Sequence, residues 1–356
     1  MAGVTPRVLP DATFWAGKRV FITGHTGFKG GWLSLWLHGL GAKIAGYALP
    51  PETEPNLFSV CGIRDIIGHG LGDVREADAL CEAMAAFCPD IVLHLAAQPL
   101  VRASYARPLE NFATNIMGTA NVLGAIAGTP GARVGLVITS DKVYAESTTM
   151  RHDESARLGG VDPYSASKAC AELVTAAFPL PAGKIVATVR SGNVIGGGDW
   201  AAERLLPDFF RSVAAGTDWR IRNPDAIRPW QHVLDPLCGY LLAVEHLWAG
   251  QPTARKAWNF GPDAMSEVNV QEVAGMLCGL WGAGATYTLA PEADAPHEAP
   301  VLRLDASRAA RELGWQPGWP LERALGATVA WFRAFNAGED MRHFTHAQIE
   351  AYCRHE

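Results

Sequence analysis

Apolar residues in the first half of the chain fall into short runs separated by longer stretches of helical periodicity. Val20–Thr23, Lys43–Ala48, Ile66–His69, Ile91–Leu95, Gly135–Thr139 and Lys184–Arg190 have the length and apolar content of buried strands. A helical pattern runs from Gly31 to Leu40, and two longer ones cover Leu109–Gly124 and Tyr164–Ala177. Strands alternating with helices predict an α/β fold, a doubly wound parallel sheet covered on both faces. From Gly196 the texture changes. Gly196-Gly197-Gly198-Asp199-Trp200 opens an excursion, Trp258-Asn259-Phe260-Gly261-Pro262 reads as a strand returning to the sheet, and the chain from Val268 onward is mostly helical.

Ligands of such sheets bind beyond the carboxyl ends of the strands, so the residues that follow each strand are the candidates for chemistry. After the first strand comes Gly24-His25-Thr26-Gly27-Phe28-Lys29-Gly30, spaced Gly-x-x-Gly-x-x-Gly. Glycines let the backbone turn sharply and approach a pyrophosphate, and the following helix offers free N–H groups to the anion. The strand–turn–helix order predicts a dinucleotide cradle from Gly24 to Gly30 in a Rossmann-type domain over 14–195 plus about 232–264. A smaller, mostly helical substrate domain is predicted over about 196–231 plus 265–345. Asp73 and Val74, after the third strand, are placed to meet an adenine, and the small Ala96 and Ala97, with Gln98, let a cofactor lie close. The second strand ends Ala45-Gly46-Tyr47-Ala48-Leu49-Pro50, without the carboxylate that typical NAD sites set against the ribose. His25 and Lys29 also add positive charge to the turn. These two features leave NADP open and predict weak cofactor retention.

With 356 residues, 49% hydrophobic and 19% charged, the chain can bury a large core. A net charge of -6 excludes a global basic field for nucleic acid or an anionic membrane surface, although local arginines can still hold phosphates. The seven cysteines are scattered and form no Cys-x-x-Cys pair, so neither a disulfide framework nor a thiolate metal site is predicted, and no metal is expected. No basic region followed by an apolar stretch opens the chain, and no segment has the length of a membrane span. The expectation is a cytoplasmic enzyme.

Its chemistry is concentrated in two segments. Thr139-Ser140-Asp141-Lys142-Val143-Tyr144 follows the fifth strand, and Tyr164-Ser165-Ala166-Ser167-Lys168 opens a helix. Tyr164 and Lys168 stand at i and i+4, on one helix face, where an ammonium favours a phenolate and brings an alcohol-abstracting base closer to working pH. Ser191-Gly192-Asn193 follows the sixth strand, and Asn193 is a candidate for the diphosphate or sugar.

The glycine turn, His94-Leu95-Ala96-Ala97-Gln98 and Tyr164-x-x-x-Lys168 resemble the extended short-chain dehydrogenase/reductases that act on nucleotide sugars. Thr139-Ser140-Asp141-Lys142, Gly160-Val161-Asp162-Pro163-Tyr164, Gly196-Gly197-Gly198-Asp199-Trp200 and Arg228-Pro229-Trp230-Gln231-His232-Val233 narrow the resemblance to the CDP-glucose 4,6-dehydratases, from about Phe14 to Trp331. The resemblance implies NAD and an intramolecular redox dehydration. Tyr164 takes the proton of the sugar 4-hydroxyl, Ser140 bonds the same oxygen, and Asp141 gives a proton to the departing 6-hydroxyl. Lys142 stands where related dehydratases acting on dTDP-glucose or GDP-mannose carry a glutamate, and its role as C5 base is implied by position alone. Arg204 or Arg211, Arg228 and Arg303 are the implied diphosphate clamps. Asn115 either supports the catalytic backbone or holds a site water, and Trp230 and His232 are either core or ligand contacts. The two long helices imply a homodimer or homotetramer. A 4-epimerase would share Tyr164, Lys168 and NAD, but it would not need the Asp141–Lys142 pair. A nucleotide-sensing module would not need the phenol.

Overall fold

The computed structural model describes residues 7–250, 257–292 and 296–354. Its centre is a seven-stranded sheet. In chain order the strands are β1 (Arg19–Thr23), β2 (Lys43–Ala48), β3 (Gly68–Leu71), β4 (Ile91–His94), β5 (Val134–Ile138), β6 (Ile185–Ser191) and a returning strand, Ala257–Phe260. Across the sheet they run β3-β2-β1-β4-β5-β6 and then Ala257–Phe260, every pair parallel. The strand order reverses between β1 and β4, the place where doubly wound sheets open a crevice for ligands. The expected fold class is therefore the observed one.

Strand alternation divides the core. Phe21, Val92, Val137 and Val186 face one side and pack with Leu80, Met84, Val122 and Ile126 of the helices Ala77–Phe87 and Gly118–Gly128. Ile22, Leu93, Leu136 and Val189 face the other, where the helices Phe28–Gly39 and Leu234–Trp248 cover them. That second layer is rich in large rings. Trp32 and Trp36 are buried there, as are Trp331 and Tyr352 of the C-terminal helices.

Before Gly196, four strands shift by a single residue at one or both ends, and three elements differ by more. β3 lies two residues beyond the predicted Ile66–His69, because Ile66 closes the turn after Ile63–Asp65 and pairing with β2 begins only at Gly68. The isoleucines that suggested the strand pack against the core instead. The first long helix begins at Phe28, inside the glycine turn, rather than at Gly31. The predicted helix near Leu109–Gly124 runs from Pro108 to Gly128 with a π-helical turn at Ala113–Met117, and that turn carries Asn115. Among the described residues no helix is long and apolar enough to cross a membrane.

Candidate active site

The glycine turn is tight for a steric reason. Gly24 has φ of 79°, and a Cβ there would lie 2.6 Å from the Ala96 nitrogen. A Cβ on Gly30 would lie 2.1 Å from the Gly24 carbonyl oxygen. Gly27 caps the helix Phe28–Gly39 with no side-chain hydrogen bond, so its first N–H groups remain open to an anion. Gly24, Gly27, Phe28, Lys29 and Gly30 all line a cavity of about 530 Å³. Asp73, Val74, Ala96 and Ala97 continue that wall. The cradle has the shape and the donors a dinucleotide needs.

His25 departs from expectation. It does not line the cavity; its Nε2 lies 2.8 Å from His69 Nδ1, and its ring fills the space over Gly46, where a Cβ would come within 2.3 Å of it. Burial, with His69 adding to it, pushes its pKa down to about 4, so His25 brings no charge to the turn at neutral pH. Lys29 crosses the cavity to donate to Ser191 Oγ at 3.0 Å. Burial first and Arg204 second push its amine down to about 7. Gln98 also leaves the cavity wall, because its side chain is taken by Asn111 at 2.7 Å.

Ser140, Asp141, Lys142, Tyr164 and Lys168 line the same cavity. Ser140 caps the short 3-10 turn Asp141–Val143 at the end of β5 and donates to Asp141 Oδ1 at 3.0 Å. Asp141 Oδ2 is buried without a partner. The helix Pro163–Ala177 starts from Asp162, whose carboxylate accepts the Ser165 N–H at 2.8 Å, with Pro163 in its first turn. Asn115 supports this helix: it donates to Ser167 Oγ at 2.8 Å and accepts the Gln98 N–H at 2.9 Å.

The phenol and the ammonium do not pair. Lys168 Nζ donates to the Ile138 carbonyl at 3.1 Å, and no hydrogen bond joins it to Tyr164 among the described residues. Burial pushes Tyr164 up to about 12, while the Ser140 hydroxyl pulls the other way. Burial pushes Lys168 down to about 8. Desolvation therefore outweighs the i,i+4 attraction that the spacing suggests. The Lys142 amine is also lowered, first by burial and then by Arg228.

The four candidate arginines separate. Arg204 lines the cavity with its Nη1 2.9 Å from Asp199, and Arg228 lines it with its Nη1 on the carbonyls of Ile227 and Pro300. Arg211 and Arg303 lie outside, tied to Asp208 and Glu267 respectively. Asn193 lines the cavity, and so does Trp230, whose indole donates to the Val268 carbonyl at 3.1 Å. His232 is core, packed between Trp32 and Trp319. Cavity residues that spacing did not single out include Glu52, Asn56, Asp208, Arg222 and Glu298. They sit on loops or first helical turns with no motif around them.

The fold and this wall define a nucleotide-sugar-modifying class of short-chain dehydrogenase/reductase. The model of the GDP-mannose 4,6-dehydratase family matches residues 21–328, and the chain belongs to that family. It is 45% identical over 352 residues to CDP-glucose 4,6-dehydratase of Salmonella typhimurium, covering 96% of this chain and 98% of that protein. The dTDP-glucose 4,6-dehydratase of an Actinoplanes species is 27% identical, over 89% of this chain and 98% of the other. Among solved structures, dTDP-glucose 4,6-dehydratase from Streptomyces venezuelae with NAD bound superposes with a TM-score of 0.78 at 24% identity, covering 91% of this chain and 99% of that one. UDP-glucose 4-epimerase from Thermotoga maritima gives 0.77 at 20%, covering 89% and 99%. At these identities the structural likeness speaks for the fold.

Proposed function

We propose that this chain is a CDP-glucose 4,6-dehydratase, converting CDP-glucose to CDP-4-keto-6-deoxyglucose and water with NAD recycled in each turnover. The observation that carries the reading is that Ser140, Asp141, Lys142, Tyr164 and Lys168 line the same cavity as the glycine cradle. The 45% identity to a CDP-glucose 4,6-dehydratase supports the nucleotide. Gly24, Gly27 and Gly30, with Asp73 and Val74 toward the adenosine, would hold NAD, which would supply reversible hydride transfer within one turnover.

Tyr164 takes the proton of the 4-hydroxyl, with Ser140 bonded to the same oxygen. Lys168 steadies that end of the site from the Ile138 carbonyl. The 4-ketone acidifies the C5 proton, and Lys142, its amine lowered by burial and Arg228, is placed to remove it. Asp141 protonates the departing 6-hydroxyl. Arg204, Arg228 and Asn193 hold the diphosphate, a task suited to a guanidinium fork. Water has to be kept from the intermediate between steps, which a cavity walled on both sides favours.

The Asp141–Lys142 pair favours dehydration over 4-epimerisation, which needs no acid at the 6-hydroxyl. The division into a 14–195 plus 232–264 cofactor domain and a 196–231 plus 265–345 substrate domain is part of the same reading. We also place the protein in the cytoplasm as a homodimer or homotetramer. Leu109, Met117 and Leu173, 81%, 56% and 58% exposed on the two long helices, support pairing there. The test is incubation with CDP-glucose, dTDP-glucose, GDP-mannose and UDP-glucose, followed by the alkali-induced ultraviolet absorbance of a 4-keto-6-deoxy sugar. A product from CDP-glucose is expected; none from CDP-glucose overturns the reading.

A further inference from the structure

The cavity continues past the diphosphate arginines to the helix Leu205–Ala215 and the strand Trp219–Ile221. With the sugar at Tyr164 and the diphosphate at Arg204 and Arg228, this far end is where the base lies. Asp208, Trp219 and Arg222 line it, and they also line a shallower depression outside. Asp208 Oδ1 is held by Arg211, which fixes the carboxylate. Its Oδ2 lies 3.7 Å from Arg222 Nη2, too far for a hydrogen bond. Arg222 is anchored from behind, its Nη2 donating to the Glu203 carbonyl at 3.3 Å. An acceptor and a donor thus stand side by side at ion-pair distance without a hydrogen bond between them, and Glu203 Oε1 lies 4.0 Å from Arg222 Nη1 on the other side. At the same end Trp219 is 2% exposed, its ring packed on Phe209 and Tyr287, and it gives this part of the wall a rigid backing.

We propose that Asp208 and Arg222 read the edge of the substrate's base and select cytosine over uracil and thymine. The proposal rests on the reading of the substrate as CDP-glucose. Cytosine presents an amino donor at position 4 beside an acceptor at N3, whereas uracil and thymine present a carbonyl beside an N–H. Asp208 Oδ2 accepts from the amino group and Arg222 donates to N3. Against uracil the same pair sets acceptor to acceptor and donor to donor, and unpaired polar groups of this kind are what lets a site reject a near-isostere.

The experiment compares kcat/KM for CDP-glucose, UDP-glucose and dTDP-glucose in wild type, Asp208→Asn, Asp208→Ala and Trp219→Phe. An asparagine amide can donate as well as accept. Asp208→Asn is therefore expected to lower the preference for CDP-glucose over UDP-glucose at least about tenfold. Asp208→Ala is expected to raise KM for CDP-glucose with kcat little changed, the mark of uniform binding. Trp219→Phe, which keeps an aromatic ring in the wall and removes no hydrogen bond to Asp208 or Arg222, is expected to leave the preference unchanged. An unchanged preference in both Asp208 variants, or an equal loss for every nucleotide, overturns the assignment. The wild-type protein tests the substrate reading separately, because failure to turn over CDP-glucose at all sinks that reading whatever the variants do.

Discussion

Lys168 Nζ and the Ile138 carbonyl, 3.1 Å apart at the end of β5, tie the catalytic helix to the sheet. The ammonium is spent on the backbone, and the Ser140 hydroxyl first and Arg204 second ease the ionisation of Tyr164. Tyr164→Phe should then abolish turnover by roughly 10²–10⁴-fold, the usual worth of a positioned proton-transfer group. Nucleotide-sugar binding should stay nearly intact, because the ring is kept. Wild-type-like product formation by the Phe variant removes Tyr164 from the mechanism.

Lys142 offers a second test. An amine accepts a proton only when it is neutral, and burial and Arg228 both lower Lys142 in that direction. Lys142→Ala should still oxidise C4, seen as reduced-nicotinamide absorbance, but stall before water is lost. Exchange of the C5 hydrogen with deuterated solvent should fall with it. Elimination at the wild-type rate makes Lys142 an electrostatic neighbour and places the base elsewhere.

Cofactor retention should be incomplete. β2 ends at Ala48 without a carboxylate for the ribose, and Gly46 before it is covered by the His25 ring. The purified protein should gain activity on adding NAD, and more than on adding NADP. Full occupancy as purified, or stronger rescue by NADP, contradicts this.

Acid should unfold the protein early. Burial lowers His25 from 6.5 to about 4 and lowers both His94 and His232 to about 3, so below pH 6.5 the unfolded chain takes up three protons that the fold refuses. Asp235, raised from 3.8 to about 6 by burial, works in the opposite sense and returns one. The three histidines outweigh it, so stability should fall as the pH drops from about 6 to 4. Urea midpoints across this range measure the fall, and His232→Leu should make it shallower. Midpoints that do not move with pH refute the account.

Much of this was legible from local patterns. The bounds of β2 agree with its apolar run, and the glycine turn is where strand, glycines and helix meet in sequence. Local patterns could not show where long charged side chains go. Arg303 and Arg211 stand near the right elements, but Arg303 pairs with Glu267, outside the cavity and far from it in sequence, and Arg211 reaches the cavity residue Asp208 from outside. The partner of Lys168 is hidden for a related reason: helical spacing measures neighbours on the helix, whereas the ammonium bonds the Ile138 carbonyl on another element. Asp208 and Arg222 carry no motif at all, and only the cavity brings them together.

The returning strand Ala257–Phe260 pairs with β6, while much of the wall behind Asp208 and Arg222 is built from the chain between them. The cleft is thus a detour spliced into an otherwise continuous sheet. Swapping its specificity between relatives needs two crossovers, one after β6 and one before Ala257. A chimera with a single crossover would join one parent's β6 to another's closing strand, exposing an edge to mispairing. Evolution of new nucleotide preferences in this architecture is therefore expected to proceed by point changes within the detour rather than by exchange of terminal segments.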